Sequence, residues 1–203
     1  MLDPTKERIL DAAAIIIREQ GSAALTVEAA ADLAGVSRKT VYNHFENKYA
    51  LIDDAASAWT ARVMAVLAEI AADEGLPFIT KLNKIVERAY AELKNSGRLL
   101  TGGAVSQHPR LASFQNMLQE RLRGFITDIL QNAINEGYIK KEFSSKRLTY
   151  VIVNFVVGLT VLDGVDEEAF SRVDVLKDSL KAMVGGILTD AGAEAMRGSP
   201  IFE

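Results

Sequence analysis

The chain has 203 residues, 49% apolar and 25% charged, a balance typical of a globular protein of one domain or two small ones and not of a disordered chain or a large multidomain enzyme. Lys and Arg number 23 against 27 Asp and Glu, a formal net charge of -4, so no global positive charge signals a nucleic-acid partner. Zero cysteines exclude disulfides, thiolate metal sites and a cysteine nucleophile.

The opening MLDPTKERIL mixes both signs of charge and has no apolar stretch ahead of a small-residue cleavage site, so a cytoplasmic location is expected. Only four prolines occur, and the abundance of Ala, Leu, Glu and Lys predicts an all-α fold. Asp3 and Pro4 suit an N-cap and first helical position, and Ile9, Ala13, Ile16 and Ile17 recur at helical spacing until Gly21. Thr26 caps a short second helix from Val27 to Ala34, which Gly35 ends. Ser37 caps a third from Arg38 to about Phe45, where Val36 and Val41 form a hydrophobic staple. Asn47 caps a long fourth helix whose apolar pattern runs to Ile70, before Gly75 and Pro77.

Further helices are predicted from about Phe78 to Asn95, from Pro109 to Glu136, from Ser145 to Leu162 and from Arg172 to Thr189, with a weaker turn around Gly97 to Val105. The most apolar run, Val151 to Leu162, is interrupted by Asn154 and Gly158 and is shorter than the roughly 20 residues of a membrane span. It reads as a buried helix, and no membrane partner is expected. The tail from Asp190 to Glu203 is small, polar and Pro-containing, which predicts fraying.

Helices two and three, joined by the short turn Ala34 to Ser37, have the spacing of a helix-turn-helix. At ~100° per residue, Phe45 falls beside Val41 on the inner face of helix three while Lys39 and Asn43 point almost the opposite way. Arg38, Thr40, Tyr42 and His44 stand around that face and Lys48 follows, all side chains that can bond phosphates or base edges. The window 37–48 holds Arg38, Lys39 and Lys48 against Glu46, so 3 − 1 = +2, whereas the first fifty residues carry six basic and seven acidic residues, a net -1. Positive charge is concentrated where a groove would be met.

The segment TVEAAADLAGVSRKTVYNHFENKYALID resembles the DNA-binding segment of the TetR family of transcriptional regulators, and the likeness extends back through KERILDAAAIIIREQGSAAL, covering residues 5 to about 54. Ala34, Gly35, Val36, Ser37, Thr40, Val41, Tyr42, His44, Phe45, Asn47, Lys48 and Leu51 carry it. Departures are mild: Ala30 replaces a larger aliphatic residue, Ser22 and Ala23 the usual aromatic, and Ile16 and Ile17 a common Leu-Phe.

The resemblance implies that Lys39, Thr40, Tyr42, Asn43 and His44 lie along the major groove, with Ser37 and Arg38 at its entrance and Thr26 and Lys48 on phosphates. It implies a helix-turn-helix domain over 1–48 and a larger helical ligand-binding and dimerisation domain over 49–190, with the tail expected from its composition to fray left over as 191–203. It further implies a homodimer on a palindromic double-stranded operator, held by a four-helix interface from the last two helices, and a repressor released by a small-molecule effector. No cofactor is implied. Trp59, Met64, Phe78, Tyr90, Phe114, Met117, Phe125 and Phe155 are bulky side chains that could line an effector cavity, although core packing is the default for each. Asn83, Gln115 and Asn154 are polar candidates to orient a ligand.

The alternative class is a helical enzyme or small-molecule carrier without DNA function. Against an enzyme stand the two isolated histidines, His44 and His108, which make no metal-ligand pair, and the lack of a Gly-rich phosphate loop or G-x-S-x-G. Adjacent carboxylates such as Asp53 and Asp54, or Glu167 and Glu168, diverge on a helix and read as surface.

Overall fold

The computed structural model describes residues 3–21, 24–101, 111–159 and 165–202, with the backbone alone for 93, 95–101, 111–115 and 166. The described elements are α1 (Pro4–Gln20), α2 (Val27–Ala34), α3 (Arg38–His44), α4 (Lys48–Ala72), α5 (Phe78–Thr101), α6 (Leu111–Asn135), α7 (Ser145–Leu159), a 3-10 turn (Val165–Glu167), α8 (Arg172–Ile187) and α9 (Asp190–Ala195). No strand occurs among the described residues; extended pairing is limited to one antiparallel bridge between Ile139 and Leu188. The all-α expectation is met.

Local chemistry sets the helix starts. The Asp3 carboxylate accepts from the Thr5 N–H at 2.9 Å, the Thr26 hydroxyl from Ala29 at 3.0 Å, the Ser37 hydroxyl from Thr40 at 3.0 Å and the Asn47 side chain from Ala50 at 3.0 Å, each satisfying an N–H that the helix itself leaves unpaired. Gly35, at φ 65° and ψ 40°, ends α2 in a left-handed conformation that side-chain-bearing residues rarely adopt. At α8 the Ser171 hydroxyl and the Asp174 carboxylate cap reciprocally. Side-chain and backbone hydrogen bonds from Ser171 hold the Asp174 carboxyl below its ordinary pKa.

Two compact units result. The first spans Met1–Val63 with Asn95–Asn116, the second Met64–Lys94 with Met117–Glu203. The first core is built from Ile9, Leu10, Ala13, Ile16 and Ile17 of α1, Leu25, Ala30, Val41 and Phe45, and Leu51, Ile52, Ala55 and Ala56 of α4. The units therefore part at 63/64 and not at the expected 48/49, because the first turns of α4 close the helix-turn-helix core. By length and composition α4 is also long and apolar enough to cross a membrane.

In the second unit Val86 and Tyr90 of α5, Leu130 and Ala133 of α6, Leu159 of α7 and Leu176 and Ile187 of α8 form a core together with Met196 and Ile201. The tail expected to fray is thus packed. The Thr189 hydroxyl caps α9 by accepting from Gly192 at 3.0 Å and donates to the Gly137 carbonyl at 2.7 Å. Ser199, 1% exposed, donates to Asn83 at 2.8 Å. The fit is close: a Cβ on Gly192 would lie 2.1 Å from the Tyr138 carbonyl oxygen. α5 continues past its expected end at Asn95, taking Gly97 into the helix, an interior position where glycine is tolerated at modest cost. Of the weaker turn predicted around Gly97 to Val105, the part from 102 lies outside the described residues.

Candidate nucleic-acid interface

α1, α2 and α3 form a frame around Val41, which is fully buried, and Phe45, 3% exposed. With those two side chains fixed inward, helical geometry turns the opposite face outward. Lys39, Tyr42 and Asn43 are exposed, Tyr42 at 55%. This is the face predicted from spacing, and it carries an ammonium, a phenol and an amide side by side.

The remaining predicted residues divide by partner. Thr40 is half-buried, and its hydroxyl is 2.8 Å from that of Ser37; the pair is shared with the cap and faces the start of α3. The Thr26 oxygen accepts from α2, which leaves its proton for an outside acceptor such as a phosphate. Arg38 is exposed and its Nη1 lies 3.2 Å from Glu28 Oε1 on α2. His44, 21% exposed, has Nε2 3.7 Å from Asp3 Oδ2 and its ring 6.3 Å from that of Phe45, so it is turned toward the start of α1. Lys48 is half-buried at the start of α4.

Sequence reading missed Lys6. Its ammonium lies 2.8 Å from Asp54 and 5.4 Å from the Phe45 ring centroid, joining α1 to α4 beneath the end of α3 through an ion pair and a cation–π contact. Arg62 and Asp11, 2.8 Å apart, make a second α4–α1 link. Neither pairing has a signal in the linear sequence.

The family model for bacterial regulatory proteins, tetR family, matches residues 9–55, the segment that builds this frame. The HTH-type transcriptional regulator UidR of Escherichia coli (strain K12) is 25% identical over 190 residues, covering 92% of this chain and 94% of its own. A solved TetR-family regulator from Agrobacterium tumefaciens superposes with a TM-score of 0.67 at 14% identity, covering 91% of this chain and 98% of its own. The FadR regulator of Bacillus subtilis, solved in complex with stearoyl-CoA, superposes at 0.64 with 21% identity, covering 89% and 98%. Over residues 9–55 the chain carries a segment that matches the DNA-binding model of the tetR family. It is a DNA-binding transcriptional regulator and not an enzyme.

The bulky side chains proposed for an effector cavity fall in both units. Trp59 packs against the first core. Tyr90, 8% exposed, and Phe155 belong to the second core, and Met64, Met117 and Phe125 are half-buried. The side chains of Phe114 and Gln115, and His108 altogether, lie outside the described residues. Phe78 lines a cleft of about 150 Å³ within the second unit, with Ala71, Leu76, Leu82, Ile85 and Ile129 as walls and Lys81, Asn132 and Glu136 as polar groups. Lys81 donates to the Ala71 carbonyl at 3.2 Å. Of the polar candidates, Asn83 is held by Ser199 and Asn154 is exposed. Among the described residues no group of three His, Asp or Glu is placed to hold a metal ion.

Proposed function

We propose that this regulator represses transcription as a homodimer on a palindromic operator and releases it when a small molecule occupies the second unit. The reading rests above all on the exposed Lys39, Tyr42 and Asn43 face of α3, held on a rigid three-helix frame. An α-helix fits the major groove, where such side chains can read base edges, while Thr26, Ser37 and Lys48 would set register on phosphates.

Two recognition helices are needed to span two half-sites, which favours a twofold dimer. On α7, Arg147, Val151, Asn154 and Gly158 recur on one exposed stripe, with Tyr150 beside it; on α8, Asp174, Asp178, Ala182, Gly185 and Gly186 do the same. One stripe begins at a cation and the other at two carboxylates, and each reaches glycine at its far end, a charge arrangement that two copies could match reciprocally.

An effector lowers operator affinity only if it binds better to the state in which the recognition helices are wrongly spaced, and the operator opposes the effector equally. Unbroken from Lys48 to Ala72, α4 is the proposed coupler. The cleft beside Phe78 matches in volume a cavity that admits a benzene-sized group, so a larger effector would have to open the helices further. The relative solved with stearoyl-CoA makes acyl thioesters a rational first group to screen. Cytoplasmic residence follows from a DNA partner. Footprinting on the DNA upstream of the chain's own gene, repeated with a compound panel, tests the whole reading: a symmetric protected site that one compound abolishes supports it, and uniform cleavage across the region overturns it.

A further inference from the structure

The Glu28–Arg38 pair places a carboxylate, favoured at a helix start, on the side of the frame that would face DNA. Glu28 occupies the first turn of α2, two residues after the Thr26 cap, on an edge that must approach phosphates if the interface reading holds. Over 26–48 the acids Glu28, Asp32 and Glu46 equal the bases Arg38, Lys39 and Lys48, 3 − 3 = 0, so the +2 of the narrower window is cancelled by the α2 side. Arg38 opens α3, and its guanidinium reaches back to Glu28 Oε1 at 3.2 Å, with side-chain exposures of 67% and 44%. In free protein such a pair adds little to stability. On docked DNA water is excluded, the local dielectric falls, and a carboxylate beside phosphates becomes costly unless its cation stays with it.

We propose that Glu28 is a specificity-determining positioning residue, holding the Arg38 guanidinium at the entrance of α3 and withholding it from the phosphates of non-operator DNA. The pair then restrains sequence-independent affinity while leaving Arg38 oriented toward the groove. This rests on the DNA-interface reading above, and the test separates the two.

Full-length wild type, Glu28→Gln, Arg38→Ala and the double variant are titrated against a short random-sequence duplex and against the upstream DNA over a salt series, with melting curves confirming folding. Glu28→Gln frees Arg38 for one more phosphate. Its log affinity for the random duplex then falls with log salt more steeply by about 0.9, and its binding at the lowest salt is tighter on the order of threefold to tenfold. The preference for upstream over random DNA drops accordingly, and in the Arg38→Ala background the same substitution leaves the slope nearly unchanged. An unaltered slope, or an equal change in both backgrounds, overturns the proposal, since Glu28 would then act by its own charge or not at all. If wild type itself binds neither duplex in a salt-dependent way, the interface reading fails with it.

Discussion

Lys39 and Asn43 share the outward face of α3, one turn apart, and both can donate to base edges. Replacing both with Ala should abolish the preference for the operator, since each specific base contact contributes roughly 1–3 kcal/mol. Binding to random DNA should weaken far less, and the sedimentation coefficient should not change. A double variant that still footprints the operator would contradict the groove assignment. Tyr90 poses the opposite case, a hydroxyl buried with no hydrogen-bond partner. Removing an unpartnered buried hydroxyl relieves a desolvation penalty, so Tyr90→Phe should leave the melting temperature equal or higher. Burial also raises the Tyr90 pKa above its ordinary 10.0, so above that pH the folded state holds a proton that the unfolded chain has lost. Stability therefore declines as pH rises past about 10, and urea titrations at neutral and alkaline pH should show a smaller decline in the Phe variant. At this scale the caps Asp3, Thr26, Ser37 and Asn47 were legible, because a cap and its N–H lie two or three residues apart. The partners Glu28 of Arg38 and Asp54 of Lys6 were not, because only the packing of separate helices brings them together.

Helix order and type along the chain follow from periodicity and caps, so the second and third helices emerge with the predicted starts at Val27 and Arg38. The last helix did not. A six-residue segment has too few internal hydrogen bonds to form alone, and α9 exists because Met196 and Ile201 reach a core that the sequence does not display. Gly192 is the contact that decides it. Gly192→Ala would push a methyl group into the Tyr138 carbonyl, and relief by shifting α9 should cost about 1–3 kcal/mol, seen as a lower urea midpoint with the DNA-binding face intact. A variant as stable as wild type would show that the tail contributes little. Likewise the boundary expected at 48 moved to 63, since Leu51, Ile52, Ala55 and Ala56 repeat at a spacing that serves either unit equally well.

Across the whole molecule, the net charge of -4 limits general attraction to DNA while local cations set the specific kind. Operator affinity should fall linearly in log-log terms with salt, by about 0.9 per phosphate neutralised, and anisotropy titrations from low to physiological salt read this slope directly. A flat response would mean that the predicted phosphate contacts are not made. The same preparation in sedimentation equilibrium should weigh about twice the 22.1 kDa of one chain; a single-chain mass at operator-binding concentrations would remove the twofold model. The family and the interface were legible because they lie in one continuous segment, 9–55. An effector pocket was not, since a cleft such as the one beside Phe78 is lined from helices far apart in sequence.

The packed tail has a further consequence for how the chain comes off the ribosome. Synthesis runs from the amino end, and domains fold as they emerge. The described residues of the helix-turn-helix core lie between Ile9 and Trp59, whereas the other core waits for Met196 and Ile201. A nascent chain can therefore close the helix-turn-helix core well before the second core has its last residues.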